Sequence, residues 1–364
     1  MSISSKAIID TDALVANYKL LSQMTNKSCN VAAVVKADGY GAGMIAMAEI
    51  LMKAGCRHFY TAQLSEAVML RQAQPNAHII VFDGPQRDAD FLVYRAHNLV
   101  MVLNSVEQLR AYIKDASQNT PLPCWLHFDT GMARLGLGSS ALGALDIDNL
   151  PIQGYMSHLA SADTAESEQN ELQLAAFHHH ISTLPKRAMS FANSGGIFLG
   201  ADYHFDQVRP GLSLHGYASD SKRQSSSGLK PILRWDAPIL QIRTLKKGDT
   251  IGYGASFIAD GPMRVATIGA GYADGYRRSL QSKGQIDIAG HIVKPVGRIS
   301  MDLLVVDVTH VPETILETVS EACLLGPHYT AQNMADDLDT IAYEVLTSLG
   351  DRVHRAYDAS EISA

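Results

Sequence analysis

Eight short β-branched runs, each closed by a polar or glycine-bearing turn, dominate the first two-thirds of the chain, and several are followed by a segment of helical periodicity. The runs are CNVAAVVKA from Cys29, HFYTA from His58, AHIIVFDG from Ala77, LVMVLNS from Leu99, CWLHFDTG from Cys124, IQGYMSHLA from Ile152, AMSFANS from Ala188 and FDQVRPG from Phe205. Between them, helical segments are expected at MIAMAEILMKAG after Gly43, QLSEAVMLRQAQ after Ala62, VEQLRAYIKDA after Ser105, and from Glu166 to Leu184. Eight βα units within about 220 residues predict a (β/α)8 TIM barrel and not an open sheet.

The texture changes near Leu229. Alternating segments such as APILQIRTL, RVATIGAGYADG and QIDIAGHIVKPVGRISMDLLVVDV read as antiparallel strands, with turns at Lys246–Asp249 and Ala289–Gly290. YTAQNMADDLDTIAYEVLTSLG reads as one or two helices. The polar stretch SDSKRQSSSGLK marks a boundary, so the expected organisation is an α/β chain with a barrel over 1–228 and a mostly β-strand domain over 229–364.

Composition narrows the function. With 46% hydrophobic and 18% charged residues the chain is an ordinary globular one, and a net charge of −7 without any lysine–arginine run offers no field for nucleic acid. The N-terminal MSISSKAIIDTDALVANYKLL lacks the basic-then-apolar layout of a secretory signal, and no apolar run approaches the ~20 residues that span a bilayer. Cys29, Cys56, Cys124 and Cys323 are scattered without metal-like spacing. A cytoplasmic enzyme with no membrane partner and no metal is the expectation.

Barrel active sites lie at the C-terminal ends of the strands. Lys36 ends the first run, Arg134 follows the fifth, His158 ends the sixth, Asn193 and Ser194 end the seventh, and Arg209 with Gly211 ends the eighth. Most lysines are solvated surface groups, but VAAVVKADGYGAG delivers the Lys36 amine from an apolar strand into the expected mouth. A desolvated lysine amine can attack a carbonyl such as that of pyridoxal phosphate. ANSGG and RPGL then offer Ser194, Gly195, Gly211 and Leu212 at adjacent strand ends, where barrels often bind phosphate.

Nine motifs in order, VVKADGYGAG, HFDTGMARLG, SHLASAD, ANSGG, VRPGLSLHGY, IGYGASF, GYADGYRR, VGRISMD and AYEVLTSLG, resemble the successive signatures of bacterial alanine racemases from Lys36 to Arg355. The resemblance implies an enzyme that interconverts L- and D-alanine with pyridoxal 5'-phosphate, supplying D-alanine for peptidoglycan or catabolising it, and a homodimer whose C-terminal domain reaches the partner's active site. It implies Lys36 as the cofactor lysine and Tyr253 of the partner subunit as the second base. Tyr40, Ser194, Gly211, Leu212 and Tyr343 would hold the phosphate; Arg209 would face the pyridine nitrogen, with His158 hydrogen-bonded behind it. Arg134 and the Met301 amide would orient the substrate, and Tyr272 would narrow access along a corridor with Asp163, Arg278, Arg298 and Ile341. An arginine facing the ring nitrogen keeps its own proton, which makes the ring a weaker electron sink and suits racemisation over transamination. The competing account of Arg209 is a barrel arginine held by a core carboxylate.

One position departs from the family pattern. Where many members carry a lysine that can be carbamylated to position the arginine, this chain has His127. A hydrogen bond from His127, a solvent ion or another anchor are the alternatives for Arg134. His178, His179 and His180 point about 100° apart on a helix and do not converge on a metal. Gly39, Gly41 and Gly43 are spaced GxGxG, not GxGxxG, which disfavours a dinucleotide-binding oxidoreductase. The rivals that remain are a non-catalytic pyridoxal-phosphate-binding barrel, a racemase for serine or several amino acids, and a related decarboxylase.

Overall fold

The computed structural model of the chain describes residues 5–138, 147 and 150–358. The chain divides into two compact units, one formed by Leu14–Lys230 and the other by Met1–Ala13 together with Pro231–Ala364.

In the first unit the strands are Asn30–Val31 with Ala33–Val34, His58–Thr61, His78–Val81, Val100–Leu103, Cys124–His127, Ile152–Met156, Ala188–Asn193 and Gln207–Arg209. Every pairing among them is parallel. The sheet begins with Asn30–Val31 at one edge and ends with Ala33–Val34 at the other, and these are two halves of one passage of chain. Ala32 N donates to Val208 O at 2.9 Å on one side, while Val35 N donates to Tyr60 O at 2.9 Å on the other, so the sheet closes into an eight-staved barrel. All eight staves coincide with the runs read from the sequence. Val100–Leu103 is buried at every position, as a strand covered on both faces must be.

The expected helices form as Met44–Lys53, Leu64–Ala73, Val106–Ala116 and Glu168–Ile181, with Thr11–Met24 and Asp90–Ala96 in addition. Ser105 caps Val106–Ala116 by accepting from Gln108 N, and the helix buries Leu109 and Tyr112. None of the described helices is long and apolar enough to cross a membrane.

In the second unit the long strand Leu233–Leu245 is the hub. Its first half pairs antiparallel with Lys6–Asp10 and Glu321–Leu325, and its second half with Met263–Ile268, which in turn pairs with Leu304–Asp307. Ile286–Ile288 and His291–Val293 form a hairpin through Ala289 and Gly290, both at positive φ, the twist that a two-residue hairpin turn needs. The C-terminal stretch forms two helices, Ala331–Leu338 and Ala342–Thr347.

The grouping 1–228 expected from sequence needs one correction. Lys6–Asp10 pairs with Leu233–Leu245 on one side and parallel with His354–Asp358 on the other, so this strand belongs to the second unit. Backbone donors and acceptors of a five-residue strand must be paired somewhere, and here the C-terminal sheet pairs them.

Candidate active site

At the end of the first stave the backbone turns left-handed. Ala37, Asp38, Gly39 and Tyr40 have φ of 53°, 50°, 62° and 54° in succession. Such a conformation costs roughly 1–2 kcal/mol for each residue that has a Cβ. It persists because Gly39 N donates to Val35 O at 2.8 Å, Gly41 N to Ala37 O at 3.0 Å, and Met44 N to the Asp38 carboxylate at 2.9 Å. The turn stops the strand at Lys36 and folds Tyr40 back into the barrel, where it is buried with its ring 5.4 Å from that of His215.

Lys36 extends over Phe82 at the end of the third stave, Nζ lying 5.8 Å from the ring centre, and Phe82 stacks on Tyr60. Burial first, and then the Arg134 charge, push the Lys36 amine below the usual lysine range, while Asp83 and Glu66 oppose that shift. A lowered amine pKa raises the fraction of neutral, nucleophilic lysine.

Arg209 is 3% exposed. Its Nη1 donates to Ser190 Oγ at 2.5 Å and its Nη2 to the carbonyls of Ser157 and Phe191 at 2.6 and 3.3 Å, so it is held by a hydroxyl and backbone oxygens and not by a carboxylate. Burial lowers its pKa to about 10, which still leaves it a cation near neutrality. Its Nε is buried and has no partner among the described residues. A buried cationic donor at the end of a barrel strand, with its Nε–H to spare, suits an acceptor nitrogen on a bound group.

His158 lies on the sixth stave's end, where its Nε2 is 3.5 Å from Asn193 Nδ2. No hydrogen bond joins it to Arg209 among the described contacts; the coupling is through charge. Burial, then Arg209, hold His158 well below the ordinary imidazole range. His127, ending the fifth stave, is likewise pushed down to about 4 by burial and then by Arg209. Asn104 donates its amide nitrogen to Phe82 O, so its Oδ1 is the atom 2.8 Å from His127 Nδ1, and the imidazole donates there. His127 is therefore a neutral group whose Nε2 is an acceptor, and it cannot carry the negative charge of a carbamylated lysine.

The two glycine-bearing loops meet at Ser194, whose Oγ accepts from Gly211 N at 3.0 Å and Ser213 N at 3.2 Å. Gly211 is required by contact: a Cβ there would stand 2.3 Å from the Tyr40 hydroxyl. Ser194 is thus tied to Gly211, and Tyr40 stands against Gly211, so the first, seventh and eighth strand ends meet there, with Leu212 next in the chain. Hydroxyls and backbone amides at these strand ends, beside the spare Arg209 donor, have the donor chemistry that a phosphate-bearing pyridine cofactor such as pyridoxal phosphate would need.

Arg134 is exposed on the loop after the fifth stave. Burial would raise the Asp129 carboxyl, but amides of Gly131, Ala133 and Met132 donate to it and hold it below the usual range, which fixes the base of that loop.

Asp163 is exposed on the turn after the sixth stave, in the first unit; the remaining expected site residues lie in the second unit. Tyr253 is 74% exposed on a short turn between Gly252 and Gly254, beside a cleft of about 560 Å³ lined by Ile251, Arg298, Ser300 and Leu303. Met301 and Tyr272 are exposed on two loops joined by Tyr272 N to Ser300 O at 3.1 Å and Ala273 N to Met301 O at 3.0 Å. Tyr343 is on the helix Ala342–Thr347. Asn104 and Ser190 were not singled out in sequence, because polar residues at a strand end or inside a strand carry no signal until the facing side chain is known.

Comparison with known proteins gives a consistent result. A family model described as "Alanine racemase, N-terminal domain" matches residues 9–219, and one described as "Alanine racemase, C-terminal domain" matches residues 232–357. An alanine racemase of Brucella canis is 40% identical over 96% of this chain and 92% of its own length. A catabolic alanine racemase of Agrobacterium fabrum is 40% identical over 97% of this chain and 92% of its own. Among solved structures, an alanine racemase from Bartonella henselae with covalently bound pyridoxal phosphate superposes with a TM-score of 0.90 at 38% identity, covering 98% of this chain and 99% of that one.

Proposed function

The chain belongs to the alanine racemase family, and from that premise we propose that it interconverts L- and D-alanine with pyridoxal 5'-phosphate held at the barrel mouth. The observation that carries the reading is the convergence of a lowered-pKa Lys36, a buried Arg209 with a spare N–H, and the Tyr40–Ser194–Gly211 cradle at neighbouring strand ends.

When bound, pyridoxal phosphate supplies an electron-withdrawing ring that acidifies the α-proton of the amino acid. Lys36 Nζ takes or returns that proton on one face of Cα, and the Oη of Tyr253 of the partner subunit serves the opposite face. With the cofactor bound, Arg209 would face the ring nitrogen without surrendering its own proton, which would keep the ring's pull modest and favour prompt return of a proton to Cα. Arg134 and the amide of Met301 of the partner subunit orient the carboxylate, and Tyr272 with Asp163, Arg278, Arg298 and Ile341 shapes access. Leu212 and Tyr343 would be further phosphate ligands.

The dimer is supported by the exposure of Tyr253, Met301, Leu240 and Ile258, apolar side chains on one unit that a partner surface would cover. A reducing, cytoplasmic setting is supported by four free cysteines, three of them buried. The reading is tested by Lys36→Ala. Purified protein should show the visible band of bound cofactor and convert L-alanine to D-alanine, and Lys36→Ala should lose both; a band that survives the substitution removes Lys36 from the role.

A further inference from the structure

The turn that carries Lys36 is held from outside itself. Glu66 stands in the first turn of the helix Leu64–Ala73, after the second stave, and its Oε2 accepts from Ala62 N at 2.9 Å and Gln63 N at 3.1 Å. That much is an ordinary capping box, in which a glutamate at the third helical position closes the helix N-terminus. Its second oxygen goes elsewhere: Oε1 accepts from Ala37 N at 2.7 Å, across to the first stave's loop and onto the amide directly after Lys36.

Ala37 is the first of the four left-handed residues. Its N–H is the one that a strand or a right-handed helix would satisfy, and the left-handed turn leaves it for a side chain to take. A carboxylate is the strongest acceptor available to it, and a charged acceptor also raises the energetic penalty for letting the amide swing away. Glu66 is at the same time one of the two carboxylates whose charge acts on the Lys36 amine. One side chain therefore fixes both the peptide plane from which Lys36 projects and part of the field in which its amine sits.

We propose that Glu66 is a positioning residue for the cofactor lysine: by clamping the Ala37 amide against the second βα loop it locks the left-handed turn and with it the direction in which Lys36 enters the barrel mouth. The inference rests on the reading of Lys36 given above. Glu66 makes no contact with substrate in this account, so its removal acts on the chemical step through Lys36 and leaves alanine binding by Arg134 in place.

The test compares wild type with Glu66→Gln and Glu66→Asp, both as cofactor-loaded and as cofactor-free protein, by hydrogen–deuterium exchange and by steady-state kinetics. Glutamine keeps the length but replaces one acceptor oxygen with a donor; aspartate keeps the charge but is too short to span both loops. Exchange across residues 36–43 should accelerate by about tenfold or more in both variants, in both forms, with Val100–Leu103 unchanged, the scale expected for losing a charge-assisted hydrogen bond. The value of kcat should fall by about tenfold while KM stays within about twofold, the split expected when an interaction made through the reacting group is lost. Unchanged exchange at 36–43 in the folded variants overturns the clamp, as does acceleration spread evenly over the barrel, which would make Glu66 a general stability residue. If Glu66→Gln does not fold, Glu66→Asp decides by the same two readings. Lys36→Ala separates the two layers: a cofactor band surviving that substitution sinks the reading of Lys36, whereas the exchange result speaks to the clamp alone.

Discussion

Arg209 organises its surroundings because it is a buried cation without a counter-charge among its hydrogen-bond partners. Its field, added to burial, keeps His127 and His158 neutral, so the two imidazoles at the barrel mouth do not share its positive charge. Burial also pushes His58 down to about 4 and His215 to about 3. A histidine whose folded pKa is depressed binds a proton more readily in the unfolded chain. Its contribution to stability is thus complete above the ordinary value near 6.5 and is lost as pH falls toward 4. Within that window each such histidine adds up to about 1.4 kcal/mol per pH unit to the slope of stability. Urea unfolding between pH 7 and 4 should show a steep loss, and His127→Asn should reduce the slope by about one proton; an unaltered slope would mean that His127 is protonated in the folded protein.

At the scale of elements, the loop ends of the first, seventh and eighth staves act as one unit because Gly211 lets the Tyr40 hydroxyl approach its backbone. Gly211→Ala should displace Tyr40 while the barrel stays folded, weakening pyridoxal phosphate binding by about tenfold or more, measured by titrating cofactor-free protein and following circular dichroism to verify the fold. The staves themselves were legible in the sequence, since a buried strand between two turns leaves a β-branched run wherever it occurs. Lys6–Asp10 was not, because KAIID runs straight into a helix at Thr11 without turn residues, and its partners lie more than two hundred positions away. Asp90–Ala96 escaped as well, being seven residues long with little room for periodicity. Where a polar side chain ends a strand, as with Lys36, His158 and Arg209, its place at the barrel mouth was legible. The site was illegible where one residue matters through another: three of the four left-handed residues after Lys36 are not glycine, and nothing in the spacing of Glu66 links it to Ala37.

For the whole molecule, the proposal that each active site draws Lys36 from one subunit and Tyr253 from the other can be tested without a structure of the assembly. Lys36→Ala and Tyr253→Phe are each expected to be inactive or nearly so. Unfolded together and refolded at equal amounts, they form hybrid dimers in which one site carries both substitutions and the other carries neither. Half of the dimers are hybrids with one intact site in two, so about one quarter of wild-type activity should return. Mixtures that stay inactive would mean that both groups of a site come from a single chain.

The strand Lys6–Asp10 also sets an order of events during synthesis. It is synthesised ahead of the barrel, yet neither of its neighbours, Leu233–Leu245 and His354–Asp358, exists until the whole barrel has been made. At typical elongation rates of 5–20 residues per second it waits roughly ten to forty-five seconds for the first of them. During that interval the apolar Ala7–Ile9 stretch and its unpaired backbone are available to any nascent neighbour, and the sheet of the second unit is completed only after the barrel that separates its parts has been made.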